Sequence, residues 1–487
     1  MEFVKKNQYR ISLLSGIVLS LAAYLFNPFG LDATANKAVA VAVLMITWWI
    51  SEALPMPAVA LVPLVLLPLF NVSSMEETAK AYSNPVIFLF MGGFMIGLAI
   101  EKWNLHKRIA LSIVQKTGTS GNRIILGFII ATAFLSMWLS NTATTMMMFP
   151  IALSVIAVMK EHEQEGTSLA NFSLVLMLVI AYASNIGGIS TIIGTPPNVA
   201  FVAFIEKKYN YDIQFIDWMM VCTPIAILLL IALYFVLVKW MFPSRISNSA
   251  EANQYIKDEI KALGQMSVAE KRVLIIFVGT ALLWITKDLL NQLGWFKLND
   301  SMIALIGALF LFATPAGKQK DDKVSMLLTW TDTSKMAWGI LLLFGGGIAL
   351  ANSLEQVGVM AQVGKWLAGF SNMHGLVLVL VIVVICIFLS EVMSNVAQVI
   401  VLAPVLGSLA DALQLDPLLL GIPMTLAASA ASMMPMGTPP NAIVFSSGYI
   451  KLKDMIKAGF VMNIVSIILI TLFCWYVLPL VMGVVVK

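Results

Sequence analysis

The chain of 487 residues is poor in the groups that carry most enzyme chemistry, with three cysteines, three histidines and only 11% charged residues. A soluble chain normally carries about 25% charge. Cys222, Cys386 and Cys474 all lie in apolar segments, which speaks against a disulfide framework and marks them as small core residues. His106, His162 and His374 fall in segments predicted as loops, so neither a histidine proton relay nor a metal cluster is expected. A membrane-embedded enzyme would need a nucleophile, base or metal set in the membrane, and the apolar segments hold no His-Glu-x-x-His, no Gly-x-Ser-x-Gly and no acidic pair. The chain therefore reads as no enzyme, and no organic cofactor is expected. The net charge of +4 comes from basic residues scattered over loops, which leaves no face for nucleic acid.

What abounds is apolar. Sixty per cent of the residues are hydrophobic, the mean hydropathy is +0.90, and apolar runs longer than about 20 residues recur, as in a polytopic α-helical membrane protein. Lys5, Lys6 and Arg10 precede an apolar run from Ile11 with no small-residue cleavage site after it, so a retained first helix is expected rather than a removed signal. Plain spans are predicted at 11–28, 37–54, 57–71, 85–101, 217–241, 272–290, 301–314, 336–354 and 456–484.

Four other stretches do not fit plain spans. Residues 124–159 carry no charge, and 376–410 carry only Glu391. As one helix each would be about 55 Å long, against a hydrocarbon core of about 30 Å. Each holds a Ser-Asn pair near its middle: Ser140-Asn141-Thr142 in the first, Ser394-Asn395-Val396 in the second, 254 residues later. The expectation is a re-entrant hairpin of two half-length helices whose tip is the Ser-Asn turn. Residues 170–205 and 417–450 are uncharged and carry Gly194-Thr195-Pro196-Pro197-Asn198 and Gly437-Thr438-Pro439-Pro440-Asn441, at an offset of 243. Consecutive prolines lack N–H donors, and Pro197 is expected to force Pro196 out of helical geometry, so these read as crossing helices broken in the middle. A third pair, Leu89-Phe90-Met91-Gly92-Gly93 and Leu342-Leu343-Phe344-Gly345-Gly346, sits at an offset of 253. The chain is an internal duplication.

With the N-terminus in the cytoplasm and hairpins returning to their own side, cytoplasmic segments hold 22 of the 30 Lys and Arg residues, as the positive-inside rule asks. The count predicts eleven crossings, one peripheral helix followed by two inverted sets of five, with the C-terminus outside. The expected organisation is a peripheral helix (1–30), a first repeat (31–243), a cytoplasmic linker (244–270) and a second repeat (271–487). In the linker, Ser267-Val-Ala-Glu270 reads as a capping box opening the next helix.

Broken helices offer N–H ends to anions and carbonyl ends to cations. Ser and Asn at a tip add hydroxyl, amide and carbonyl groups in the same volume. Hard oxygen donors suit Na⁺. No Lys or Arg lies in the four segments, so an anion bound there needs compensation, and bound cations are the obvious source. Glu391 is either a functional carboxylate or the neutraliser of a helix terminus. Glu52, in Trp48-Trp49-Ile50-Ser51-Glu52-Ala53-Leu54-Pro55, is expected at a membrane interface beside its twin-Trp anchor.

The Trp-Trp-x-x-Glu-x-x-Pro segment, Ser140-Asn141-Thr142-Ala143-Thr144-Thr145, the second Ser394-Asn395 and both Gly-Thr-Pro-Pro-Asn breaks together resemble the divalent anion/sodium symporter family, over essentially the whole chain. The resemblance implies a homodimer in which a transport domain of hairpins and broken helices slides, elevator fashion, against a scaffold. It implies one sodium site at Ser136, Ser140, Asn141 and Gly194, and another at Ser390, Met393, Asn395 and Gly437. The substrate carboxylates would meet Ser140, Asn141, Thr142, Thr195 and Pro196 on one side, and Ser394, Asn395, Val396, Thr438 and Pro439 on the other. Val396 stands where many bacterial members repeat the Thr, so the two carboxylate subsites are unequal. The implied function is Na⁺-coupled symport of C4-dicarboxylates such as succinate, fumarate or malate in a bacterial cytoplasmic membrane, in contact with membrane lipid. The alternatives are a sodium-independent dicarboxylate or 2-oxoglutarate exchanger, and a sodium-coupled citrate or sulfate carrier. A membrane-embedded enzyme or a channel fits the motifs less well.

Overall fold

The computed structural model describes every residue except 1, 28–29, 119, 163–166, 245–249, 295–296, 319–323, 361, 363–373 and 485–487. It is helical almost throughout, and the one sheet among the described residues is a two-stranded hairpin, β1 (Pro315–Lys318) with β2 (Val324–Met326). Nine stretches among the described residues are long and apolar enough to cross a membrane.

The first half begins with α1 (Glu2–Phe26) and α2 (Ala33–Ile50), which pack against each other. The expected span at 57–71 is not a single helix. It divides into α3 (Met56–Val59) and α4 (Val62–Leu69), because Pro57 and Pro63 each sit in a first helical turn and no helix continues through such a position. After α5 (Met75–Lys80), α6 (Pro85–Lys102) is capped by Asn84 and followed by the amphipathic α7 (Leu105–Thr117). His106 lies within α7 and not in a loop. It is buried, its Nδ1 is 2.9 Å from the Ile100 carbonyl oxygen, and burial holds its imidazole below the usual histidine range. His162 ends α9 rather than standing in a loop, while His374 is an N-cap.

The two uncharged stretches fold as helix–turn–helix units. In the first, α8 (Gly121–Ser136) and α9 (Asn141–His162) meet at residues 137–140. The arms exceed half-length, 16 and 22 residues, or roughly 24 and 33 Å. The break at 189–195 then separates α10 (Thr167–Gly188) from α11 (Pro196–Tyr209). Here the expectation for Pro196 fails. The extended residue is Thr195, the N-cap, while Pro196 and Pro197 start the helix. At the first two helical positions a proline loses no hydrogen bond, since those N–H groups have no intrahelical partner anyway. α12 (Phe215–Leu233) runs on as a π-helical stretch over Tyr234–Met241.

The linker carries a helix of its own, α13 (Ala250–Ala262), packed on α7 and α9. Lys107 meets Glu259 at 2.8 Å, and Arg108 reaches Glu270 together with the carbonyls of Leu263 and Gly264. The capping box at Ser267 and Glu270 is formed and opens α14 (Val268–Gln292). The second half continues with α15 (Asp300–Ala313), α16 (Trp338–Gln356), α17 (Gly375–Ser390), α18 (Asn395–Leu413), α19 (Pro417–Ala428), α20 (Pro439–Phe445), α21 (Leu452–Tyr476) and α22 (Leu478–Met482).

The two helix–turn–helix units match in detail. Pro150 lies inside α9 and Pro404 inside α18. The carbonyl of each accepts a hydroxyl one turn on, from Ser154 at 3.1 Å and from Ser408 at 3.0 Å. Packing divides the helices into two groups. α8 to α12 interlock with α17 to α21, while α1 to α6 pack with α14 to α16. Cys222, Cys386 and Cys474 are buried in the first of these groups.

Candidate functional site

Both helix–turn–helix tips and both breaks converge on one cavity of about 1710 Å³. Twelve of the fifteen residues singled out from the sequence line it: Ser140, Asn141, Thr142, Thr195, Pro196, Met393, Ser394, Asn395, Val396, Gly437, Thr438 and Pro439. Ser136, Gly194 and Ser390 are buried just behind that wall. The other group of helices contributes Ile50 to Glu52, Pro57, Gly339 and Leu343. Glu52, expected at a membrane interface, thus faces the cavity, with a left-handed backbone at φ 49°.

The first half-site is a cradle of oxygens around glycines. Ser136 Oγ donates to Asn141 Oδ1 at 2.7 Å. A methyl group at Gly188 would stand 2.2 Å from Asn141 Oδ1, and one at Gly194 would stand 2.4 Å from the Gly188 carbonyl oxygen and 3.0 Å from that of Ser136. Only glycine lets these oxygens approach one another. Asn198 braces the break, its Nδ2 lying 2.8 Å from the Thr191 carbonyl oxygen and 3.2 Å from that of Gly188. Trp218 Nε1 donates to the Ile189 carbonyl at 2.9 Å. Carbonyls freed by the break are thereby satisfied.

The second half-site is built differently. Ser390 Oγ donates to its own helix, to the Ile387 carbonyl at 2.8 Å, and not to Asn395. Asn395 Oδ1 is left buried with no hydrogen-bond partner. A buried carbonyl oxygen without a donor is costly, and a small hard cation beside it removes that cost. The donor set therefore fits Na⁺, the expected transported cation.

Glu391, buried at 4% exposure, answers the open question of its role in part. Its Oε1 accepts the N–H groups of Ser432 and Met433 at 2.9 Å each and Asn463 Nδ2 at 2.7 Å, and its Oε2 accepts the N–H of Met434 at 2.9 Å. The carboxylate thus gathers the orphan N–H groups of the second break. No Lys or Arg is paired with it among the described ion pairs. The corresponding position of the first repeat is Met137, whose backbone carbonyl accepts Thr191 Oγ1 at 2.5 Å. One half-site is therefore built with a fixed negative charge and the other without one.

Several polar groups escaped the reading of the sequence. Asn185 on α10 lines the cavity and bridges Asn141 to Thr438. Tyr182, also on α10, donates to the Ser432 carbonyl at 2.7 Å. Asn463 completes the Glu391 cage. Their signal in the sequence was a polar residue inside an apolar span, which is weak alone, since such residues also serve as ordinary helix contacts.

A family model described as sodium:sulfate symporter transmembrane region matches residues 5–482. The chain is 38% identical over 491 aligned residues to a protein of Staphylococcus saprophyticus named sodium-dependent dicarboxylate transporter SdcS, covering 99% of this chain and 94% of that one. A protein of the same name from Staphylococcus aureus is also 38% identical, with the same coverage. Among solved structures, the YdaH transporter of Alcanivorax borkumensis superposes with a TM-score of 0.57 at 14% identity, covering 83% of this chain and 88% of that one. MtrF of Neisseria gonorrhoeae gives 0.53 at 14% identity, with 83% and 84% covered. These two likenesses concern the fold alone.

Proposed function

The chain belongs to the sodium:sulfate symporter family, and from that membership we propose that it is a Na⁺-coupled symporter of C4-dicarboxylates in a bacterial cytoplasmic membrane. The observation that carries the reading is the pair of oxygen-rich half-sites facing one cavity, one of them with an orphaned Asn395 carbonyl oxygen and a caged carboxylate behind it. With no Lys or Arg in the tips and breaks, cations are the available compensation for a doubly charged anion. Sodium binding first orders the tips and completes the anion site, and the loaded domain then crosses.

An elevator motion is supported by the two packing groups, which share the cavity and pack more closely within themselves than against each other. It is also supported by a second cavity of about 690 Å³. α6 and α16 touch both cavities, at opposite ends: Glu101 and Gly339 line the large one, and Pro85 and Gln356 the small one. Between them lie apolar contacts such as Phe90 against Phe344, 5.5 Å between ring centroids. The large cavity reaches Lys107 and Lys335, on the basic face read as cytoplasmic, so the protein is inward-facing in this reading. Re-entrant tips, inverted repeats, a cytoplasmic N-terminus and a homodimer complete the proposal.

The test is radiolabelled succinate uptake into proteoliposomes under an inward Na⁺ or K⁺ gradient. Uptake driven by Na⁺ alone is expected. Equal uptake under both gradients would replace symport by exchange, which counterflow from preloaded vesicles would then reveal. A narrower expectation concerns Val396, which lines the anion side of the cavity. Val396→Thr adds a hydroxyl where the first tip has Thr142, and should change the succinate KM by about three- to tenfold, the size of one net hydrogen bond. Half-saturation by Na⁺ should stay within about twofold of wild type. A shifted sodium dependence with an unchanged succinate KM would move Val396 to the cation side.

A further inference from the structure

One side chain touches both half-sites. Asn185 sits near the C-terminal end of α10 and is 3% exposed. Its Oδ1 accepts Asn141 Nδ2 at 3.3 Å, and its Nδ2 donates to Thr438 Oγ1 at 3.1 Å. Asn141 belongs to the first tip and Thr438 to the second break. We propose that Asn185 is a positioning residue that couples the two half-sites, so that filling the first cation cradle sets the hydroxyl of Thr438 for the anion. The proposal rests on the sodium and dicarboxylate reading above and deepens it.

The bonds form one directed chain. Ser136 Oγ donates to Asn141 Oδ1, Asn141 Nδ2 donates to Asn185 Oδ1, and Asn185 Nδ2 donates to Thr438 Oγ1. Thr438 Oγ1 also accepts the Asn441 N–H at 3.4 Å. A hydroxyl oxygen offers two acceptor sites and one hydrogen. With both acceptor sites used, the Thr438 hydrogen remains to donate, and Thr438 lines the cavity. A carboxylate oxygen of the substrate is a fitting acceptor there. At the other end, the same chain turns Asn141 Oδ1 toward Ser136 and Gly188, where the first cation is read to bind. A cation drawing on that oxygen makes the Asn141 N–H groups better donors and tightens each bond downstream, as chained hydrogen bonds polarise one another.

The duplication offers no reciprocal link. Measured from the helix ends, Gly188 and Ala428, the counterpart of Asn185 is Thr425, whose hydroxyl donates within its own helix to the Gly421 carbonyl at 2.8 Å. Thr195, the counterpart of Thr438, makes no side-chain cap bond, whereas Thr438 does. The coupling therefore runs from the first cation cradle to the anion edge of the second half-site through a single amide.

The experiment uses the full-length protein, purified and reconstituted, as wild type, Asn185→Ala, Asn185→Ser, Thr438→Val and the Asn185→Ala/Thr438→Val double variant. Thermal unfolding is followed with NaCl alone, with succinate in potassium buffer, and with both, beside uptake kinetics. The expected result is that Asn185→Ala keeps the NaCl-induced rise in Tm, loses most of the further rise from succinate, and raises the succinate KM about tenfold. Half-saturation by Na⁺, read at succinate well below its KM, should move less than threefold, while at saturating succinate it should rise by a factor like that of the KM, since coupling between two sites is reciprocal. The effects of Asn185→Ala and Thr438→Val on KM should overlap rather than multiply, as for groups acting through one contact. Asn185→Ser, which is small and polar, covers the case in which Ala at this buried position fails to fold, and should show the same split. An unchanged succinate KM in both Asn185 variants, or losses that multiply in full with Thr438→Val, would overturn the coupling while leaving symport intact. A wild type indifferent to Na⁺ in both unfolding and uptake would overturn the symport reading and the coupling with it.

Discussion

Glu391→Gln should lower sodium-driven uptake by about two orders of magnitude. The side chain keeps its size and loses its charge. Four donors converge on the carboxylate: three backbone N–H groups of the second break and the Asn463 amide. A glutamine offers one oxygen and one NH₂, so at least one of those donors meets another donor. Hydrogen bonds to a charged group contribute about 1.5–3 kcal/mol each. Loss of two such bonds, or of one at the upper end of that range, reaches the predicted loss, since two orders of magnitude are about 2.8 kcal/mol. The break would loosen at Ser432 to Met434, immediately before Gly437 and Thr438. The fixed negative charge near Asn395 would vanish as well, so half-saturation by Na⁺ should rise in whatever uptake remains. Uptake as a function of Na⁺ concentration, on protein shown to be monodisperse by size exclusion, decides the matter. A wild-type sodium curve would reduce Glu391 to an ordinary helix-end neutraliser.

The second large effect separates the two tip asparagines. Asn141→Ala and Asn395→Ala should each raise half-saturating Na⁺ by about tenfold or more, the loss of one ion–dipole contact of about 1.5–3 kcal/mol. Their behaviour without sodium should differ. Asn141 bonds both Ser136 and Asn185, so removing it strips two satisfied partners and lowers the Tm in sodium-free buffer. Asn395 Oδ1 has no donor at all. Removing it relieves a buried orphan, so the sodium-free Tm should hold or rise while the NaCl-induced rise in Tm shrinks. Equal loss of sodium-free stability in both variants would mean that Asn395 is bonded in solution and is no open cation ligand.

The contrast between the two asparagines explains where reading the sequence ran out. Ser136-to-Asn141 and Ser390-to-Asn395 have the same spacing and the same residue types, and on paper they are equivalent. In the folded chain one serine turns to its asparagine and the other to its own helix. Glu391 shows the same limit. Its two candidate roles could not be separated until the residues around it were known, and those lie 41 to 72 positions away.

What the sequence determined by itself was where helices must stop. Helices end at Ser136 and Gly188 and begin again at Asn141 and Pro196, with matching interruptions at Ser390 and Ala428. Such stops are legible because Gly, Pro-Pro and Ser-Asn act through their own backbone, within a few residues. Family membership was legible for the same reason, since it rests on those local motifs and their order. The tertiary structure alone decided that α10 lies between the two half-sites, which makes Asn185 a bridge rather than a stray polar residue. It alone decided as well that α3 and α16 bring Pro57 and Gly339 to the wall of the cavity. A hydrogen bond needs its partners within about 3 Å, and for residues 253 apart in the chain only the packing of the two halves can supply that distance.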